Sequence, residues 1–310
     1  MNAAARLGLF GLGLVAVFGV AAAASGAIAP EGIAAGWTTE EGTTMADHTQ
    51  APAHSPAPST QSEHGGHDPS AQAGHLGGLA LAEAGYALDA ITAPTAVDES
   101  GVLSFRIVDA HGEPVVDYTP EHDKELHLIV VRTDGAEFRH VHPERDAQGR
   151  WSIDWSWTEA GSYRVFADFA ASGAEGVTLS RTLDVAGEFR PVAPAPTRDA
   201  EIAGYEVRLS GDLVAGSASD LTVSVIRDGA PVTTLEPYLG AFGHLVALRQ
   251  GDLGYAHVHP EGAAPHDGDA AGPDVSFTAS VPTAGRYLLY FDFRVDGTVH
   301  SVPFVVDTTP

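Results

Sequence analysis

There is no cysteine among the 310 residues, and only two methionines, Met1 and Met45. The first absence excludes disulfides, cysteine-ligated iron–sulfur clusters, a cysteine nucleophile and a blue-copper His/Cys site; the second leaves no thioether cluster for Cu(I). Positive charge is scarce as well. With 16 basic against 41 acidic side chains the formal net charge is −25, which disfavours counterion-release binding to nucleic acid or to an anionic lipid surface. A cation or a neutral molecule is the expected partner. What the chain does have is histidine, 15 in all; imidazole and carboxylate together suit Cu(II), Zn(II) or Ni(II).

After Arg6 runs LGLFGLGLVAVFGVAAAA, Leu7 to Ala24, uncharged and apolar on every face. It reads as an N-terminal hydrophobic helix over residues 1–29 that directs export, either cleaved near Ala27 or kept as an anchor in the membrane. The expected location is therefore extracytoplasmic, with membrane contact only through this segment. Residues 30–78 change to Ala, Pro, Ser, Thr, Gly and His without apolar periodicity, a disordered tether. Its His48, His54, His64, His67 and His75 read as loose metal-capture positions, or as parts of a solvated linker.

Three phrases then recur in order. ELHLIVV (Glu125 to Val131) matches FGHLVAL (Phe242 to Leu248), FRHVHPE (Phe138 to Glu144) matches YAHVHPE (Tyr255 to Glu261), and GSYRVFADF (Gly161 to Phe169) matches GRYLLYFDF (Gly285 to Phe293). The histidines are offset by 117 positions and the final phrase by 124, so the second copy carries a seven-residue insertion, placed in PEGAAPHDGDAAGPD. Around these phrases lie short runs of β-formers punctuated by Gly, Pro and Asp. They predict an all-β fold of two tandem immunoglobulin-like β-sandwich domains, 79–186 and 201–310, joined by a linker over 187–200.

Asp134-Gly135 and Gly251-Asp252 stand midway between paired apolar runs and predict two-residue hairpin turns. Facing residues would then sum to 269 in the first copy, pairing His127 with His142 and Ile129 with His140. In the second they would sum to 503, pairing His244 with His259 and Val246 with His257. Each copy would carry three histidines on one sheet face, a candidate metal site. Asp168 and Asp292 interrupt strongly strand-like aromatic segments; each is a fourth ligand, an acceptor that orients an imidazole, or a carboxylate hydrogen-bonded at a sheet edge. The competing reading of H-V-H-P is a structural corner of mutually hydrogen-bonded imidazoles closed by proline. His111 and His122, in polar turns, read as surface residues.

On HDKELHLIVV, FRHVHPE, GSYRVFADF, PYLGAFGHLVALRQGDLGYAHVHP and VHSVPFVV, the chain resembles a family of exported or membrane-anchored actinobacterial proteins of unassigned activity. The resemblance spans Leu79 to Asp307, and related phrases occur in extracytoplasmic proteins associated with heavy-metal, especially copper, handling. It implies a role in copper handling; with the imidazole donors the expected ion is Cu(II) or Zn(II), and the expected partner a membrane metal transporter or another extracytoplasmic protein. Cu/Zn superoxide dismutase and the cupins are similar only in their His-x-His pairs. The former's bridging histidine region, zinc loop and cysteine pair are missing here, and Glu144 and Glu261 stand too close to their histidines for a cupin. A binding protein without chemistry of its own is thus expected; an immunoglobulin-like interaction module is the alternative, and a copper-dependent redox enzyme the weaker one.

Overall fold

The structure, a computed structural model, describes residues 77–266 and 268–309; the side chain of His257 lies outside the description. So do the apolar run Leu7–Ala24 and the tether as far as Leu76. Among the described residues there is no helix, and hence none long and apolar enough to cross a membrane.

The first repeat holds β1 (Ala82–Glu83), β2 (Tyr86–Leu88), β3 (Ser100–Val108), β4 (Tyr118–Thr119), β5 (Leu126–Arg132), β6 (Arg139–Val141), β7 (Glu144–Arg145), β8 (Arg150–Ser156), β9 (Gly161–Ala171) and β10 (Gly176–Val185). The second holds β11 (Asp199–Ile202), β12 (Tyr205–Ser210), β13 (Ala218–Arg227), β14 (Ala230–Pro231), β15 (His244–Arg249), β16 (Tyr255–Pro260), β17 (Asp274–Ser280), β18 (Arg286–Val295) and β19 (Thr298–Asp307). All ladders between these strands are antiparallel. In the first repeat one sheet runs β1-β2-β3-β8-β7, and the other β10-β9-β5-β6 with β4 beside β9. In the second, β16 joins the counterparts of both sheets into one, β11-β12-β13-β17-β16-β15-β18-β19.

Each sandwich has its own core, produced by alternation. In β13 and β17 buried and outward residues alternate, bringing Leu221, Val223, Phe277 and Ala279 inside. Leu103, Phe105, Trp151, Trp155 and Phe169 do the same in the first repeat. β5 breaks the rule, since all seven of its residues are buried. Its sequence LHLIVVR has four successive apolar residues, Leu128 to Val131, because both faces are covered. Leu126, Leu128 and Val130 face the sandwich core. Ile129 and Val131 face a third cluster, shared between the repeats, with Phe166, Val246, Leu248, Leu288 and Tyr290.

That shared cluster is built from equivalent positions. Ile129 and Val246, Val131 and Leu248, Phe166 and Tyr290, and Phe138 and Tyr255 correspond under the two sequence offsets. Phe138 stacks on Tyr290 with ring centroids 3.9 Å apart, and the equivalent pair, Tyr255 and Phe166, lies at 5.8 Å. The repeats thus meet as two subunits of a homodimer would, patch against like patch. Gly135 sits at this junction with φ of +87°, where an added Cβ would approach Leu288 Cδ1 to 2.5 Å. Only glycine accepts both the left-handed backbone and the contact. Its carbonyl accepts a hydrogen bond from the Tyr290 hydroxyl at 2.6 Å.

The expected sums of 269 and 503 hold for the strand pairs next to the turns, although the turns are longer than two residues. Leu128, Ile129 and Val130 pair with Val141, His140 and Arg139, while Ala247 and Leu248 pair with Ala256 and Tyr255. The first turn closes from Arg132 N–H to Ala136 O, with Glu137 also at positive φ. The second closes from Arg249 N–H to Gly254 O, so the two-residue turns expected from sequence are replaced by wider loops. In the first hairpin the closing pair sums to 268 and one extra residue on the β6 arm, at Glu137, restores 269; in the second the closing pair already sums to 503. Residues 261–273 connect β16 to β17, which puts the extra sequence of the second copy in a loop. The segment after β10 is pinned: Arg132, 2% exposed, forms a bidentate pair with Asp134, which also accepts from Val192 N–H at 2.7 Å.

Candidate metal centre

His127 projects from β5 on the side of Ile129 and Val131, toward the second repeat, and is 7% exposed. His140, opposite Ile129, and His142, just beyond the last ladder pair, project from the neighbouring segment. The three rings are 5.2, 5.0 and 5.0 Å apart between centroids. His127 Nδ1 lies 3.0 Å from His140 Nε2 and 3.1 Å from His142 Nε2. One nitrogen from each ring falls within 4.8 Å of the others. Imidazoles bound tetrahedrally at about 2.0–2.1 Å from Zn(II) would place their nitrogens about 3.3 Å apart, so opening by a few tenths of an ångström admits an ion.

The outer nitrogens decide which lone pairs point inward. His127 Nε2 faces the Glu121 carbonyl oxygen at 3.0 Å; a carbonyl only accepts, so Nε2 carries the proton and the neutral ring offers Nδ1 as an acceptor. His140 Nδ1 faces Asp292 Oδ2 at 2.8 Å, with the two side chains 4% and 5% exposed. That nitrogen donates to the carboxylate, and His140 offers Nε2. Two lone pairs 3.0 Å apart call for a positive charge between them. Burial, followed by the neighbouring His140, lowers the pKa of His127 to about 4, so His127 keeps its inward lone pair at neutral pH. His142, lowered to about 2 first by burial and then by its two partners, shares that bias. Without an ion, His142 can donate Nε2–H to His127 Nδ1; a cation requires its other tautomer. The donor set is three neutral imidazoles with two outer hydrogen bonds that fix their tautomers, the arrangement by which proteins orient histidine ligands.

The other candidates fall in different places. His244 is the cross-strand partner of Asp292, as His127 is of Asp168. Its Nε2–H donates to Tyr238 O at 2.8 Å, reproducing the bond from His127 to Glu121, six residues upstream in both repeats. Burial holds its pKa down to about 3. Its ring stands 6.2 Å from that of His140 and 5.3 Å from that of His122, so it adjoins the first repeat's cluster. His257 and His259 lie on β16 opposite Ser280 and Thr278 of β17, and His259 is exposed. The expected pairing of Val246 with His257 and of His244 with His259 is not among the observed ladder pairs, because β16 leaves β15 after Ala256 and crosses to β17. Asp168, half-buried and with its pKa raised to about 6 by burial, accepts from Thr178 Oγ1 at 2.7 Å. The two aspartates thus occupy equivalent positions with different partners.

His122 is the residue that sequence reasoning missed. It is exposed, as a turn residue should be, yet its ring reaches within 6.2 Å of His127 as well as toward His244. Its left-handed backbone, φ +49°, bends the turn that also presents the Glu121 carbonyl. The sequence signal was weak, because its counterpart in the second repeat, Leu239, is not a histidine.

Among solved structures the chain is similar to a Salmonella alpha-2-macroglobulin reacted with methylamine, at 16% identity, 73% coverage of this chain, 15% of that chain, and a TM-score of 0.25. It is similar also to invasin, a bacterial integrin-binding protein, at 18% identity, 72% and 38% coverage, and a TM-score of 0.21. Domains 5–6 of the S-layer protein SbsC share 12% identity over 72% of this chain and 97% of theirs, with a TM-score of 0.20. No curated protein matches. The family match covers both repeats, residues 82–187 and 200–310, and by it the chain belongs to the family described as a domain of unknown function, DUF8832.

Proposed function

We propose that the protein binds a divalent transition metal, Cu(II) or Zn(II), outside the cytoplasm, and buffers or delivers it without chemistry of its own. His127, His140 and His142 would hold the ion through Nδ1, Nε2 and Nε2. The observation that carries this reading is the convergence of two fixed lone pairs, on His127 and His140, at 3.0 Å. The export-type run Leu7–Ala24 supports the location, and the resemblance to proteins of copper handling favours copper and a membrane transporter or another extracytoplasmic protein as the recipient. Calorimetry of the full chain at neutral pH should show one ion per chain at the triad. A second equivalent removed by His244→Ala would add a site in the second repeat, and no uptake of either metal would refute the reading.

A second reading has one specific observation in its favour. His142 can donate to His127, so the cluster can stand as a hydrogen-bonded corner of an immunoglobulin-like interaction module. The readings diverge in metal affinity, since a structural corner loses thermal stability on substitution and has no affinity to lose.

Asp292→Asn separates orientation from ligation. The amide can keep a hydrogen bond to His140 Nδ1–H but not the charge, and affinity is expected to fall about 10-fold to 100-fold, measured by competition with a chromophoric chelator. An unchanged affinity would mean that His140 is not held as described.

The pH dependence has a definite sign. Free histidine titrates near 6.5, so a ligand set with ordinary pKa values would release its ion through that range. Burial has depressed His127 to about 4 and His142 to about 2, so protons compete poorly and binding is expected to persist well below pH 6.5. The ion-free fold shows the opposite cost: unfolded histidines protonate near 6.5 while the buried ones do not, so stability is lost as pH falls from about 6.5 toward 4. Thermal unfolding across that interval, with and without zinc, measures both.

A further inference from the structure

We propose that the ion at the triad keeps an exchangeable coordination position on the His142 side, filled by a small monoanion that Lys124 holds against the metal. This rests on the metal-binding reading. His127 and His140 are enclosed, but His142 lines a cleft of about 370 Å³ whose wall also contains Lys124, Tyr238, Asp123 and Arg294. The cleft therefore brings solvent and small solutes up to His142.

The charges of that wall are unequal in availability. Arg294 is matched by Glu236, Nε to Oε2 at 3.1 Å. Lys124 is the sole lysine of the chain, and among the described residues no carboxylate is ion-paired with it. It stands in the same tight turn as His122, closed by reciprocal hydrogen bonds between the backbones of Glu121 and Lys124. Its charge is near enough to His127 and His142 to contribute to the lowering of both. Three neutral imidazoles would leave the ion's double charge uncompensated, and Asp292, the carboxylate in contact with the triad, is engaged by His140 Nδ1–H. The chain's net charge of −25 repels anions at long range, but salt at physiological strength screens that beyond about 8 Å. Within that distance the charges of the wall are Asp123 and Lys124, which offset one another, so the ion's own double charge sets the balance and a monoanion is the complement that the cleft has room for.

Azide serves as the probe. The full chain is loaded with Cu(II) and titrated with azide, following the azide-to-copper charge-transfer absorption, in wild type and in Lys124→Met. The wild type should bind azide saturably, and the variant about fivefold more weakly, the scale of an exposed ion pair; chelator competition in the same samples should show no loss of copper affinity. Equal azide affinity in the two proteins overturns the role of Lys124. A copper-loaded protein that gives no azide band overturns the open position and points to closure by a side chain such as His122. Failure to take up copper overturns this proposal, and failure to take up zinc as well overturns the metal reading on which it rests.

Discussion

Replacing His140 by alanine is expected to lower Cu(II) or Zn(II) affinity on the order of 100-fold or more, while the fold survives. The magnitude follows from what is removed. The variant loses one of three converging nitrogens, and it leaves Asp292, 5% exposed in its side chain, without the imidazole N–H that satisfies it. Loss of an outer partner alone costs about 10-fold to 100-fold in typical sites, and loss of a ligand exceeds that. His259→Ala is the matched control, since His259 is exposed on β16 and faces Thr278. Chelator competition on both variants should give a large loss for the first and little for the second. Equal losses would place the ion elsewhere; no loss in either would leave the imidazoles as a corner of the fold.

Tyr290→Ala should be the most damaging single change to stability. Tyr290 is 3% exposed, stacks on Phe138 at 3.9 Å, and donates its hydroxyl to Gly135 O. Truncation of a large buried aromatic typically costs about 3–5 kcal/mol, and the stack adds about 0.5–1.5 kcal/mol beyond area. Because these contacts cross between the repeats, the loss should loosen one repeat from the other and, through Asp292 and His140, weaken ion binding too. Urea unfolding followed by tryptophan fluorescence reads the first repeat, because three of the chain's four tryptophans, Trp151, Trp155 and Trp157, lie in β8 or directly after it. Far-ultraviolet circular dichroism reads both repeats. The two transitions should separate in the variant; coincident transitions and an unchanged midpoint would show that the junction contributes little.

Much of this architecture was legible before any coordinates. Alternation in β13 and β17, and the repetition of three phrases, sufficed for strands, tandem sandwiches and the register that puts His140 opposite Ile129. The four successive apolar residues Leu128 to Val131 carry a signal of cover on both faces of β5 that the reading by alternation did not use. What it could not convey was the identity of the cover, because hydrophobicity is non-directional and names no partner. Hence Asp292, 152 positions from His140, could be suspected of orienting an imidazole but not of doing so across the junction. The crossing of β16 was equally hidden. YAHVHPE and FRHVHPE carry the same alternating residues, and the choice of neighbouring strand lies in backbone geometry after Ala256. Nor could side-chain patterns expose the Glu121 and Tyr238 carbonyls, whose chemistry is common to every residue.

The crossing has a mechanical consequence. In the first repeat β6 is an edge, bonded to β5 alone, whereas β16 is bonded to β15 along one half and to β17 along the other. An edge strand can shift by tenths of an ångström without tearing a second ladder. Such a shift is what the nitrogens of His127, His140 and His142 need in order to part from 3.0 Å and admit an ion. Duplication has therefore produced two copies of one phrase with unequal compliance: the first can close around a guest, and the second is stitched into the sheet as its seam.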